Sequence, residues 1–487
     1  MEITILGIGH VVLGLLLSLD VLLTKHRPVS AVLWLAVVWA WPYLGALFYL
    51  TIGMDRVRRG AAARQAAKRL VAQRTARRAG FDRLAIDYTR PGDGQPTGHP
   101  AQHIFRFTDP AVRPNRVLLG NRVQLLVDGD EFYPSLFEAI ESAESSVHLQ
   151  TFIYARDRIG GQLLDLLSQR AREGIECRLL YDRFGSTLAH LTRFFEGARR
   201  AGVKVCSITQ ANPLKGRFQI NLRNHRKIAI IDGRVGFAGG INISDKNYTQ
   251  IATARDSIRD YHTRIEGPAI SDLQVQFVED WHFASREAPE SLLGDSYFPQ
   301  LPPAGDALVQ IVPGGPELKG HGLADAFFGA IVAAETSISI VTPYFVPDEP
   351  IVQALRYAAL RGVDVRLVLP RHSNHWYTGF AARALYTPLL KSGVRIFERG
   401  PPFIHAKALV VDRVYAMIGS ANLDHRSMYL NFETNVEVAD HDFVGRVSQQ
   451  IESEIAESDE VSAARHEARS LTRKLAENFC FLFQPML

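Results

Sequence analysis

The chain has 487 residues, 47% hydrophobic and 22% charged, a globular balance that excludes a disordered, collagen-like or coiled-coil protein. At roughly 150 residues per domain, that length allows two to three domains. The net charge is only +4, and nine basic residues crowd between Arg56 and Arg78 with no acid among them; the slightly acidic remainder argues against a broad nucleic-acid-binding surface.

Residues 1–55 read as a membrane segment. Ile3 to Leu23 is a 21-residue apolar run whose single charge is Asp20, long enough at about 31 Å to cross a bilayer core. After Lys25-His26-Arg27-Pro28, Val29 to Gly53 adds 25 uncharged residues, with Pro42 inside and Trp34, Trp39, Trp41, Tyr43 and Tyr49 along it. A cleaved signal peptide competes for the first run, but Glu2 stands where a basic n-region belongs. Two transmembrane helices, or a tight membrane hairpin, are expected. The positive-inside rule sets nine cations after the second run against two in the short loop, and so places the C-terminal bulk in the cytoplasm. Two crossings would then put the N-terminus there too. The basic tract either attracts anionic lipid headgroups or serves only as a topology signal.

Residues 56–112 form the basic segment and a linker, Pro91 to Pro100, rich in Gly and Pro. From about Asn115, short apolar runs alternate with helical patterns. Val123–Val127, Val147–Phe152, Cys177–Tyr181, Val203–Ile208 and Ile228–Ile231 are predicted strands; Phe132–Ser142 and Gly161–Glu173 are predicted helices. Such alternation implies a layered α/β domain. The pattern then repeats. Ala171–Leu180 matches Leu360–Leu369, Ala201–Val205 matches Ser392–Ile396, and Glu144–Leu149 matches Glu335–Ile340. Two tandem copies are expected, 113–300 and 301–487, with Pro302-Pro303-Ala304-Gly305 at the junction. Cys177, Cys206 and Cys480 form no C-x-x-C pair and read as buried small hydrophobes.

The chemistry sits where polar residues interrupt an apolar strand. The first copy carries His225, Lys227, Asp232, Gly240 and Asn242; the second carries His405, Lys407, Asp412, Ser420 and Asn422. In both copies the offsets from His are two to Lys, seven to Asp and seventeen to Asn. Residues i and i+2 of a strand share a face, so each His and Lys emerge together. A neutral imidazole is a nucleophile and a protonated one a general acid. Lysine offers a point charge to a phosphoryl oxygen. The small residue before Asn allows close backbone approach. Two copies facing each other would surround one phosphorus with two His, two Lys and two Asn. That favours covalent phosphoryl transfer without metal or cofactor. Asp232 and Asp412 are grouped with the catalytic residues, although a purely geometric role is the competing reading.

These segments resemble the paired H-x-K-x4-D motifs of the phospholipase D superfamily. Gly419–Ser427 with Asn431-Phe432-Glu433, Arg259-Asp260, Arg264–Ala269, the apolar leader with Arg27-Pro28 and Gly53, and the ending Phe483–Leu487 resemble bacterial cardiolipin synthases over essentially the whole chain. Gly240 departs from Ser420, so any hydroxyl role there is not shared. The resemblance implies two phospholipase D-like α/β/α domains related by a pseudo-twofold, with the site at their interface. It implies His225 as nucleophile and His405 as acid, then base, with Glu433 and Asp260 orienting the imidazoles. It implies transfer of a phosphatidyl group between two phosphatidylglycerol molecules at the bacterial inner membrane, with anionic lipid as partner and no nucleic acid. A hydrolase, a phosphatidyltransferase with another acceptor alcohol, a nuclease and a catalytically inactive membrane scaffold stay open, as does homo-oligomerisation. Asp128-Gly129-Asp130-Glu131 lacks calcium-loop spacing, and His372 with His375 reads as a loop pair near headgroups or a weak metal pair.

Overall fold

The computed structural model describes residues 2–25, 28–41, 43–53, 85–86, 88, 99–112, 115–208, 223–253, 256–316 and 322–486. The basic tract, residues 91–98 of the predicted linker, Arg27, Pro42 and Leu487 lie outside them. The chain divides into two compact units, Met1–Ala62 and Ala63–Leu487.

In the first unit, α1 (Glu2–Thr24) is apolar and uninterrupted. Among the described residues it is the one helix long and apolar enough to cross a membrane. The second apolar run departs from expectation. It is split into α2 (Pro28–Ala40) and α3 (Leu44–Phe48), which continues as a π-turn Tyr49–Gly53. At 13 residues, α2 reaches about 20 Å, short of a bilayer core. The break falls at Tyr43, whose φ is +57°, and the chain then doubles back along α2. A Cβ on Gly45 would stand 2.0 Å from the Val37 carbonyl oxygen, so only glycine permits this approach. The Trp34 and Tyr49 rings meet edge to face at 5.4 Å, and the Tyr49 hydroxyl donates to Asp20 Oδ2 at 2.6 Å. Asp20, the lone charge of the Ile3–Leu23 run, is thus satisfied by the returning segment.

The second unit is built on one continuous sheet. Its first half contributes β1 (Val117–Val127), β2 (Ser146–Thr151), β3 (Glu176–Tyr181), β4 (Lys204–Ser207), β5 (Ile228–Ile231), β6 (Val235–Gly239) and β7 (Tyr261–Glu266). Its second half contributes β8 (Ala307–Gly314), β9 (Ser337–Val341), β10 (Asp364–Pro370), β11 (Arg395–Arg399), β12 (Ala408–Val411), β13 (Tyr415–Gly419) and β14 (Glu433–Ala439). Outward from β1 the order is β7, β6, β5, β2, β3, β4; outward from β8 it is β14, β13, β12, β9, β10, β11. The copies repeat one topology and join by antiparallel pairing of β1 with β8, Leu118 facing Val309. The strand predicted from Val123 begins at Val117, because Gly120 (φ +96°) and Asn121 interrupt the apolar pattern without ending the ladder.

Helices cover both faces. One face carries α4 (Ile270–Ser285) and α5 (His441–Ala456), whose Phe277, Val278, Val444 and Val447 share one core spanning both halves. The opposite face holds a separate core in each half. The parallel strands β2 and β3 are buried along nearly their whole length, whereas edge strand β4 is exposed at Lys204 and half-buried beyond it.

Candidate active site

Each His-x-Lys segment lies between a short cross-half contact and a buried strand. Phe403–Ile404 pairs in parallel with Ile258–Arg259 of the other half, and the His405 amide donates to the Arg259 carbonyl at 2.7 Å. In the counterpart, Asn224 bridges Phe432, and the His225 amide donates to the Phe432 carbonyl at 2.9 Å. Each histidine backbone is therefore fastened one residue before an acid of the opposite half.

Those acids hold the rings. Glu433 Oε2 lies 2.9 Å from His225 Nδ1, which is also 3.1 Å from the Ser420 carbonyl. Both neighbours are acceptors, so Nδ1 carries the proton and Nε2 the lone pair. Asp260 Oδ2 lies 2.6 Å from His405 Nδ1. Glu433 is fully buried and also accepts from Ser420 Oγ at 2.5 Å, Ser427 Oγ at 3.0 Å and Asn431 Nδ2 at 3.2 Å. Asp260 additionally accepts from the Tyr261 amide at 2.9 Å.

The lysines return to their own histidines. Lys227 Nζ donates to the His225 carbonyl at 2.7 Å. Lys407 Nζ contacts the His405 carbonyl and stands 2.8 Å from Nδ1 of the same ring. Burial, with the opposing Lys407, pulls Lys227 down to about 7, and burial pulls Lys407 down to about 8. Burial and Lys407 together hold His405 down to about 4, while burial outweighs the pull of Glu433 and lowers His225. Burial pushes the Asp260 carboxyl upward, but Lys407 and His405 overcome it and leave it below its ordinary value. Lys227 and His405 belong to different halves, and each also feels the other half's charges. The site is one electrostatic unit.

Gly240 and Ser420 differ for a steric reason. A Cβ on Gly240 would stand 2.0 Å from Asp260 Oδ1, whereas Ser420 has room and donates to Glu433. Asn242 Oδ1 accepts from the Ile153 amide at 3.1 Å. Asn422 Oδ1 is buried without a hydrogen-bond partner, so the two asparagines are not equivalent.

Asp232 and Asp412, grouped above with the catalytic residues, each cap a turn. Asp232 accepts the amides of Glu144, Ser145 and Ser146 at 2.7–2.8 Å and the Ser145 hydroxyl at 2.8 Å. Asp412 does the same for Glu335, Thr336 and Ser337, and faces His103 Nε2 at 3.2 Å. Each lies five positions beyond its lysine across a four-residue strand, about 16 Å along the chain.

Several contributors carry no local signal. Arg226, between His225 and Lys227, donates to the carbonyls of Glu433 and Gly314 and pairs with buried Asp280. Behind His405, buried Glu454 binds Arg259 and Arg399, and Arg399 holds the Gly400 and Pro401 carbonyls. Asp128 accepts the Asp260 amide at 2.9 Å, so the acidic turn serves this site. Phe152 packs on His225 at 4.8 Å, and Tyr344 on His405 at 6.4 Å. His375 lies beside Tyr344 at 5.7 Å, which brings its loop close to the His405 ring. Among the described residues no cluster of three or more His, Cys, Asp or Glu side chains is placed to hold a metal.

A family profile described as "Cardiolipin synthase, PLD-like domain" matches residues 136–281 and 328–455. The chain belongs to this family. It is 36% identical to cardiolipin synthase A of Pseudomonas aeruginosa over 487 residues, covering 99% of this chain and 96% of that protein. It is 32% identical to a cardiolipin synthase of Geobacillus kaustophilus, covering 99% and 94%. A phosphatidylserine synthase structure from Haemophilus influenzae shares the fold, with a TM-score of 0.59 at 14% identity over 75% of this chain and 95% of that one.

Proposed function

We propose that this chain is a membrane-bound phosphatidyltransferase that makes cardiolipin from two phosphatidylglycerol molecules. The observation that carries the proposal is the reciprocal clamp: each imidazole is held at Nδ1 by an acid of the opposite half, which leaves Nε2 as the reacting atom of each ring, with Lys407 Nζ 3.2 Å from that of His405.

His225 Nε2 attacks the phosphorus of one phosphatidylglycerol. A P–N bond forms and the bond to glycerol oxygen breaks, with protonated His405 donating to that oxygen. Neutral His405 then takes the proton from the free hydroxyl of a second phosphatidylglycerol. The resulting oxygen attacks phosphorus, and the electron pair of the P–N bond returns to His225. Lys227 and Lys407 neutralise charge on the phosphoryl oxygens, with Asn242 and Asn422 as further donors. Arrival of an anionic phosphodiester raises the affinity of His405 for its proton. Glu433 and Asp260 stabilise each imidazolium and hold its tautomer. Phe152 and Tyr344 cover part of each ring, which favours a lipid hydroxyl over water.

For topology, α1 crosses the bilayer once and the segment from Pro28 to Gly53 is re-entrant. The short loop and the following cations then share the cytoplasmic side, as positive charge prefers, and the N-terminus lies across the membrane. Externally added thiol reagent labels Glu2→Cys under this topology and misses it if the run crosses twice.

The activity is tested with the full chain in vesicles of labelled phosphatidylglycerol, with chelator present. Cardiolipin and glycerol are expected. Free phosphatidate instead would mean a hydrolase, and loss of turnover on chelation would reject the metal-free route.

A further inference from the structure

The same position of both copies carries exposed apolar side chains beside the reacting groups. In the first half, Phe184 (62% exposed), Leu188 and Leu191 follow β3. Their segment is tied to the site: Gly185 abuts the Phe152 carbonyl, and Arg223 lays its guanidinium over Phe184 at 4.0 Å. In the second half, Trp376 (68% exposed) follows β10, the equivalent strand, next to His375 and the Tyr344–His405 contact.

The C-terminal helix α6 (Leu471–Phe481) extends the second cluster. Its Cys480 packs with Val346 and Ala381, beside Phe380 and Phe481. Phe380 in turn meets Trp376. Gln484 donates to the Pro347 carbonyl at 2.6 Å, fastening the chain end near Tyr344. Phe479, Leu482 (73% exposed) and Phe483 nevertheless point outward. Burying one side of a helix end while exposing three large apolar residues costs solubility and implies an occupant.

We propose that these two clusters flank the mouth as an interfacial docking surface that dips into the headgroup region of a phospholipid bilayer. The inference rests on the phosphatidyl-transfer reading. A two-chain lipid keeps its phosphodiester at headgroup depth, so a buried pair of imidazoles reaches it without extraction only if the mouth meets the bilayer. Exposed aromatic and leucine side chains on both sides of that mouth, with a stacked arginine among them, have the chemistry of an interface-seeking surface.

The chain has five tryptophans; Trp34, Trp39 and Trp41 lie in the first unit and Trp281 is buried. The full chain and Trp376→Phe are placed in phosphatidylglycerol vesicles with or without acyl-chain bromines. The emission lost on Trp376→Phe should be quenched by the brominated lipid; an unquenched component overturns the proposal. In parallel, Phe479→Glu/Leu482→Glu should raise KM for vesicle lipid about ten-fold and leave turnover of dispersed short-chain phosphatidylglycerol unchanged. Unchanged vesicle kinetics with loss of a dimer would overturn it in favour of a second copy as occupant. Quenching without cardiolipin formation would sustain the docking surface and refute the reaction it was drawn from.

Discussion

Asp260 of the first half holds His405 of the second, with Oδ2 2.6 Å from Nδ1. Glu433 returns the arrangement to His225 at 2.9 Å. Each half supplies the acid for the motif histidine of the other, so both clamps exist only when the halves dock along β1 and β8. Asp260→Asn keeps the volume and removes the charge beside a developing imidazolium. Turnover should fall about 10²–10⁴-fold with little change in KM, read from initial rates on vesicle lipid. A KM effect alone would show that Asp260 acts on substrate binding and not through His405.

Asp260 and Glu433 differ by one methylene, and the residues beneath them compensate. The longer Glu433 leaves room for Ser420, whose hydroxyl donates to it; the shorter Asp260 sits directly over Gly240. Gly240→Ser should therefore displace the Asp260 carboxylate and cost turnover nearly as much as Asp260→Asn. Ser420→Gly only removes one donor from a four-donor carboxylate and should cost about ten-fold or less. Equal losses in the two variants would show that the asymmetry has no mechanical consequence.

Asp232→Asn and Asp412→Asn should act on stability. Each carboxylate gathers three amides and a hydroxyl at a turn, and loss of that charge should cost on the order of 1–3 kcal/mol. Burial pushes both carboxyls up, but these donors outweigh it and hold them below their ordinary value. The folded state is therefore favoured above the unfolded carboxylate range near 4, and the advantage disappears as pH falls through the folded value. The gap in urea midpoint between wild type and either variant should be full at pH 7 and close toward pH 3. Turnover per folded molecule at pH 7 should be near normal.

The paired His and Lys were legible in the sequence because duplication repeats their offsets, which chance does not. Asp260 and Glu433 were legible as orienting acids only through resemblance. Their exchange between halves was not, because it depends on how two copies dock and no local pattern records that. The Asp of the motif was ambiguous for a related reason: repetition marks a needed residue without saying whether chemistry or a turn needs it. In the second apolar run, hydropathy counts side chains and carries no direction, so the reversal at Tyr43 was invisible. Arg226 lacks a repeat altogether; Ala406 occupies its place in the second copy.

The lysines should set the alkaline limb. Lys227 is held down to about 7 and Lys407 to about 8, in both cases mainly by burial. Their charged forms are the ones that bind phosphate, so kcat/KM should fall as pH rises through 7 to 8. A bound phosphodiester favours the ammonium forms, so the corresponding limb in kcat should lie at higher pH. Initial rates between pH 6 and 10 check this, and a flat kcat/KM through pH 9 would exclude lysine control.

The order of the histidines can be separated by the leaving group. Glycerol is a poor one and needs the proton that His405 would donate. A phosphatidyl ester of p-nitrophenol does not. With that ester, His405→Ala should still release nitrophenolate in one burst and then stall as a phosphatidyl adduct on His225, because no base remains to activate the acceptor hydroxyl. His225→Ala should give neither burst nor adduct, since Nε2 is the atom that attacks. Digestion and mass spectrometry of acid-avoiding samples locate the adduct. Labelling of His405 in the His225→Ala protein would reverse the assignment and make the Glu433-held ring the acid.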